Sequence, residues 1–248
     1  MAGHSKWANI QHRKGRQDAK RGKIFTKMAK DIILAAKGGG DPAMNATLRL
    51  AVAKAKAVNM PNDKIDTAIK KGTGELAGGD INEVMYEGYG PGGVAVLIEA
   101  ATDNRNRTVA EVRHILGKGG GSMGEAGCVA WMFDKKGVMS FNPEQFTEDQ
   151  LLEIGLDAGA EDVISEDGSL EVHCAPEDFT AVQKAFEEAE MVADSTELSF
   201  VPKNLVELDV PTAKKLMSLM EKLEDNEDVQ NVHVNADFPD ELMAELED

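Results

Sequence analysis

The sequence predicts a multidomain chain of α and α+β class: an N-terminal three-helix bundle followed by two α+β sandwich domains, the last inserted into the second. Three observations carry this expectation. Apolar residues recur at helical spacing as far as Lys71. Beyond Gly72 the period switches to alternation, with helical stretches interspersed. The sign of the charge reverses at the same boundary. With 248 residues the chain has room for two or three small cores. The expected domains are residues 1–76, a basic helical domain with an N-terminal arm; 77–135 plus 204–248, an α+β domain; and 136–203, a ferredoxin-like βαββαβ domain.

Residues 1–16 show no clean apolar period and mix His4, Lys6, Trp7, His12, Arg13, Lys14 and Arg16, which reads as an extended or partly ordered arm. Across 18–37, Ile24, Phe25, Met28, Ala29, Ile32, Ile33 and Ala36 fall at helical spacing, and Gly38-Gly39-Gly40 ends the helix. Lys20, Lys23, Lys27 and Lys30 lie mostly off that stripe. A second helix follows Asp41-Pro42 and runs to about Val58, with Leu48 and Val52 four apart. A third begins at Pro61, sets Ile65 and Ile69 on one face, and closes on Lys70-Lys71-Gly72.

Alternation over 83–89 and 94–101, around Gly90-Pro91-Gly92-Gly93, predicts a hairpin. A helix over 107–116, a glycine-rich loop over 117–127 and a strand over 128–133 follow. Next come a strand (137–141), a helix (147–157), a hairpin of 162–165 and 169–173 about Asp167-Gly168, a helix (176–190) and a strand (195–201). That order closes as a split βαβ sandwich. The remaining helix (211–223) and strand (229–235) find partners only by returning to the sheet begun at Glu83, which is why the third domain is read as an insertion.

The formal net charge of -17 conceals two opposite pieces. Residues 1–71 carry 16 Lys/Arg against 5 Asp/Glu, net +11; the remainder is net -28. An acidic surface is ordinary for a solvated domain, and Glu187-Glu188 and the run 224–228 read that way. Like charges crowded onto a small basic domain repel one another and are usually retained for a partner of opposite sign, most commonly a polyphosphate backbone. The composition excludes wholesale disorder, and no apolar run approaches the roughly 20 residues of a membrane span. With no secretory signal legible, a cytoplasmic protein is expected.

Gly88–Gly93 resembles a phosphate loop only superficially, because strands lie on both sides where a helix N-terminus is required; a hairpin turn is expected. The run Gly117–Gly124 follows a helix and lacks GK[ST]. The stretch Thr102-Asp-Asn-Arg-Asn-Arg-Thr108 is more informative. Asp103, Asn104 or Asn106 can cap a helix there, yet Arg105 and Arg107 bring positive charge to its positive end. An anion site completed by Arg113, or ion pairing with the acidic body, explains that arrangement equally well. Trp7 either stacks on a nucleic-acid base or packs the arm onto the bundle. Cys128 and Cys174 form no CxxC pair and read as small buried residues, so neither a metal nor a cofactor is expected. No Ser/His/Asp order, GxSxG, HExxH or Walker motif is present, so catalysis is not expected; a metal-dependent hydrolase built on the acidic body is the catalytic alternative.

The residues expected to meet nucleic acid are Lys6, Trp7, Arg13, Lys14, Arg16, Lys20, Arg21, Lys23 and Lys27, with Arg105, Arg107 and Arg113 as a second point. The start MAGHSKWANIQHRK, then QDAKRGKIFTK, YEGYGPGG and TDNRNRTVAEVRH, resemble the YebC family over essentially the whole chain. The resemblance implies an all-helical first domain, two α+β domains and a cytoplasmic bacterial protein. Its members are described as DNA-binding transcriptional regulators, and some as ribosome-associated factors that help synthesis through consecutive prolines. DNA is therefore the first partner expected, rRNA on the ribosome the alternative. No helix-turn-helix signature is evident.

Overall fold

The computed structural model describes residues 19–166 and 169–242, which form two compact units. One unit contains residues 19–129 and Pro211–Val232; the other contains 130–210 and 233–242.

In the first unit, α1 (Ala19–Ala36), α2 (Ala46–Ala57) and α3 (Asn62–Gly72) pack around Ile32, Ile33, Leu48, Ala55, Ile65 and Ala68. The same cluster takes in Ile81 and Ala101, so this core continues into the sheet. The second helix starts later than its pattern suggested because Asn45 caps it. The Asn45 side chain accepts from the Leu48 N–H and donates to the carbonyls of Ala35 and Gly39, tying the start of α2 to the end of α1.

Strands β1 (Asn82–Tyr89) and β2 (Ala95–Thr102) pair antiparallel, with Asn82 opposite Thr102 and Tyr89 opposite Ala95. The turn between them places Gly92 at φ 78° and Gly93 at φ 76°, where an L side chain is strained. Helix α4 (Arg105–Lys118) begins at Asn104, whose side chain accepts from the Arg107 N–H; of the three candidate caps this one serves. β3 (Ser122–Met123) lies inside the glycine-rich stretch expected to be all loop and pairs with Gly88 and Tyr89.

The chain then leaves the unit and returns as α7 (Val210–Glu224) and β9 (Val229–Val234), giving a sheet ordered β3-β1-β2-β9. Leu216, Leu219, Met220 and Leu223 are the buried stripe of α7.

The strand expected over 128–133 does not form. The buried Glu87 carboxylate accepts from the N–H groups of Gly127 (2.6 Å) and Val129 (2.7 Å), so a side chain uses donors that a strand would offer to a neighbour. A 3-10 turn at Ala130–Met132 follows, and β4 (Phe133–Phe141) then runs unbroken where only its second half was expected. Asp134, Lys135 and Lys136 hide its first half from a hydrophobicity pattern, although the backbone pairs there with Val201, Phe200 and Ser199.

The second unit continues with α5 (Glu148–Ala158), β5 (Ala160–Glu166), β6 (Ser169–Cys174), α6 (Phe179–Glu188) and β7 (Ser195–Pro202). The strand order is β5-β6-β4-β7 with every neighbour antiparallel, the split βαβ arrangement. Thr147 and Gln150 form a reciprocal capping box at α5. Phe141 and Phe186, with ring centroids 4.8 Å apart, are at the centre of the core. Two-residue strands β8 (Val206–Glu207) and β10 (Ala236–Asp237) pair parallel and are too short to leave any period in the sequence. Cys174 is buried as expected, while Cys128 is only partly covered.

Candidate nucleic-acid interface

The lysines of α1 are placed by its helical period. Lys23, Lys27 and Lys30 follow at i, i+4 and i+7 and share one face. Their ammonium groups do not all point away from the molecule. Lys23 donates to the Asp225 carbonyl (3.0 Å), Lys27 to the Glu224 carbonyl, and Lys30 to the Glu227 carbonyl (2.8 Å). These acceptors lie at the C-terminus of α7 and in the turn after it, where carbonyls lack helical partners and the helix dipole is negative. Burial lowers the Lys27 pKa, and Glu224 and Asp225 act against that shift.

Beside this row lies a buried ionic hub. Asp228, in the turn before β9, was expected to be solvated with the rest of the run 224–228, yet it is 4% exposed. Lys30 Nζ donates to its Oδ1 at 2.6 Å. Its Oδ2 receives Arg107 Nη2 at 2.8 Å and the Thr108 hydroxyl at 2.7 Å. The Thr102 hydroxyl lies 3.3 Å from the same oxygen. Burial pushes the Asp228 carboxyl pKa up, but the donors from Lys30, Thr108 and Arg107 together outweigh it and hold the group at about 2. One carboxylate thus joins α1, the end of β2 and the start of α4. Charged residues are buried only when paired in this way.

The hub accounts for Arg107. Its guanidinium meets Asp228 and also Asp103 at 2.9 Å, and these hydrogen bonds raise its pKa. Of the two uses open to it, the geometry displays the internal ion pair. Arg105 at the first position of α4 and Arg113 two turns later are exposed, with no ion pair among the described residues. Lys6, Trp7, Arg13, Lys14 and Arg16 lie outside the described residues, as do the side chains of Lys20 and Arg21. The structure therefore brings Lys23, Lys27 and Arg107 together around the 224–228 turn and leaves Arg105 and Arg113 open.

Lys30, Thr102, Thr108 and Asp228 were missed as a group because the partners lie up to 198 residues apart. The only local sign was the odd placement of arginine at the positive end of a helix. Among the described residues no group of three His, Cys, Asp or Glu is arranged to hold a metal ion. Nor is any of their helices long and apolar enough to cross a membrane.

Residues 5–75 match the family model for the TACO1/YebC protein N-terminal domain, and residues 81–236 match that for the TACO1/YebC second and third domain. The chain belongs to the TACO1/YebC family. A "Probable transcriptional regulatory protein" of Maridesulfovibrio salexigens is 88% identical over 248 residues, covering 100% of both chains. A protein of the same name from Solidesulfovibrio magneticus is 64% identical over 245 residues, covering 98% of this chain and 100% of the relative. The crystal structure of a conserved hypothetical protein from Aquifex aeolicus is similar at a TM-score of 0.81 and 42% identity, over 90% of this chain and 92% of that one. The TACO1/YebC match thus joins an N-terminal domain, within which α1, α2 and α3 fall, to a second and third domain that begin at β1.

Proposed function

We propose that this protein is a non-enzymatic, cytoplasmic regulator of gene expression that binds nucleic acid, with transcriptional control through DNA as its first role. The observation that carries the reading is the charge separation: net +11 over residues 1–71 against net -28 over the rest. A basic piece on an acidic protein concentrates phosphate contacts on one surface, while the acidic remainder repels nucleic acid that meets it elsewhere. Relatives named as transcriptional regulators support the reading. In it, residues 1–76 are the binding module. Residues 77–135 with 204–248 form the body that bears Arg105 and Arg113, and 136–203 are an inserted accessory domain.

Phosphate contacts come from Lys6, Arg13, Lys14, Arg16, Lys20 and Arg21, with Trp7 stacking. Lys23 and Lys27 add positive potential while their ammonium groups remain on α7 carbonyls. If about six phosphates of a duplex are contacted, log affinity falls against log salt with a slope near -5. A titration of duplex DNA by fluorescence anisotropy between 50 and 300 mM salt measures it, and an affinity independent of salt overturns the proposal. Replacing Arg105 and Arg113 with Gln reduces that slope and leaves stability within about 0.5 kcal/mol. Crosslinks sequenced from ribosomal and chromosomal fractions identify the target: discrete promoter sites support transcriptional control, and crosslinks confined to rRNA replace it with a role in translation.

A further inference from the structure

A groove between α1 and α3, with a volume of about 380 Å³, shares only Lys30 with the interface described above. Its floor is apolar, made by Ile33, Met60, Ala68 and Ile81. One wall carries Phe25, and the Lys64 ammonium stands 5.3 Å from the centre of that ring. The ammonium covers a face of that ring, and a flat ligand group reaches this face once the exposed, flexible Lys64 side chain moves aside. The hydroxyls of Thr26 and Thr67 donate back to the carbonyls of Gly22 and Asp63, which leaves their oxygens able to accept from a ligand.

Among the described residues three lysines line the groove and no carboxylate does, on a chain of net charge -17. Lys30 is neutralised by Asp228, whereas Lys64 and Lys71 have no ion pair among the described residues. Those two stand seven residues apart on α3, about 10 Å along the helix. A fatty acid or lipid carries its charge at one end and would leave one of them unmatched. A nucleotide within a single strand has an aromatic body with a phosphate on either side, which matches a groove that carries one aromatic side chain and the two cations Lys64 and Lys71. The groove's volume lies in the range of small-ligand sites, and a base held in a duplex does not reach such a recess.

We propose that the α1–α3 groove seats one unpaired nucleotide of a single-stranded nucleic acid, its base against Phe25 and Met60 and its flanking phosphates on Lys64 and Lys71. The proposal rests on the nucleic-acid reading above and deepens it: the basic domain recognises unpaired strand in addition to backbone charge. Neither Phe25, Lys64 nor Lys71 belongs to the arm or to the 224–228 turn, so the two sites are separable by substitution.

The test uses the full chain and 12-nucleotide single strands of RNA or DNA containing one 2-aminopurine, with a duplex of the same length as reference. The wild-type protein is expected to quench the 2-aminopurine on binding a single strand. The K64Q/K71Q double variant is expected to lose about tenfold in single-strand affinity, and T67M, which narrows the groove without changing charge, to abolish the quench while duplex affinity stays within twofold. Circular dichroism melts confirm that both variants fold, since Lys64 and Thr67 are exposed. Wild-type protein that binds single strands with no quench, or with a quench unchanged in T67M, overturns the groove proposal and leaves the nucleic-acid reading intact. Wild-type protein that binds neither strand form overturns both. The strand type giving the stronger quench identifies RNA or DNA as the source of the nucleotide.

Discussion

Replacing Asp228 with Asn removes one negative charge and keeps the shape of the side chain. In the folded protein the carboxyl is held at about 2 against an ordinary 3.8, because the donors from Lys30, Thr108 and Arg107 outweigh the cost of its burial. A difference of that size corresponds to about 2.5 kcal/mol of stability at neutral pH. The amide also leaves Lys30, whose side chain is 13% exposed, without its counter-ion, and breaking a buried pair from one side costs about 3–5 kcal/mol. The expected loss is therefore about 3 kcal/mol, or on the order of 10 °C in the melting of the unit that contains α1, α4 and α7.

The dependence on pH has a definite sign. The folded pKa lies below the unfolded one, so the stabilisation is complete above about pH 5 and disappears as pH falls through 2. Urea unfolding of wild type and D228N between pH 8 and pH 2.5 should show a constant gap down to about pH 5 that then closes. A gap under 0.5 kcal/mol at pH 7 would mean that the hub is not a stabilising element and that Lys30 and Arg107 find water as readily as protein.

Asp31 provides the opposite case. Burial raises its pKa to about 6, with Lys54 working against the shift and Glu99 adding to it. A carboxylate whose folded pKa is raised destabilises the fold at high pH, so D31N should gain about 2–3 kcal/mol at pH 8 and lose that advantage below pH 4; urea unfolding at the two pH values checks it. E87Q weakens the acceptors of two backbone N–H groups, and a loss of about 1–3 kcal/mol is expected. Hydrogen exchange at Gly127 and Val129 should accelerate before exchange in β2 does. G137A places a methyl group 2.3 Å from Phe179 Cδ2 and 2.6 Å from Cys174 Sγ, and overpacking of that kind costs about 1–3 kcal/mol. Its calorimetric transition should shift in the 130–210 unit and leave the other unit unchanged.

Most of the regular fold was legible because helical and strand periods are local properties. The stripe of Ile24, Phe25, Met28, Ile32 and Ile33 marks α1 whatever it packs against, and the switch to alternation after Gly72 marks β1 and β2. The topological rule that a lone helix and strand must find a sheet was enough to return α7 and β9 to β2. Boundaries failed where side chains replaced backbone partners. Asn45 delayed α2, and Glu87 turned an apparent strand at 128–133 into a loop.

The amino-acid sequence by itself determined most of the longer secondary elements, their order and the division into a basic N-terminal part and an acidic remainder. Tertiary structure alone decided where each of those charges goes. Lys23, Lys27 and Lys30 read as a free cationic face until α7 delivers carbonyls and Asp228 to them from about 200 residues away. Lys71 reads as a helix-end feature until α1 closes a groove beside it and Lys64. Periodicity reports which face a residue occupies, because that follows from the backbone geometry of a few neighbours. It carries no record of the partner across that face, since contact between distant segments is chosen by burial and charge complementarity over the whole chain.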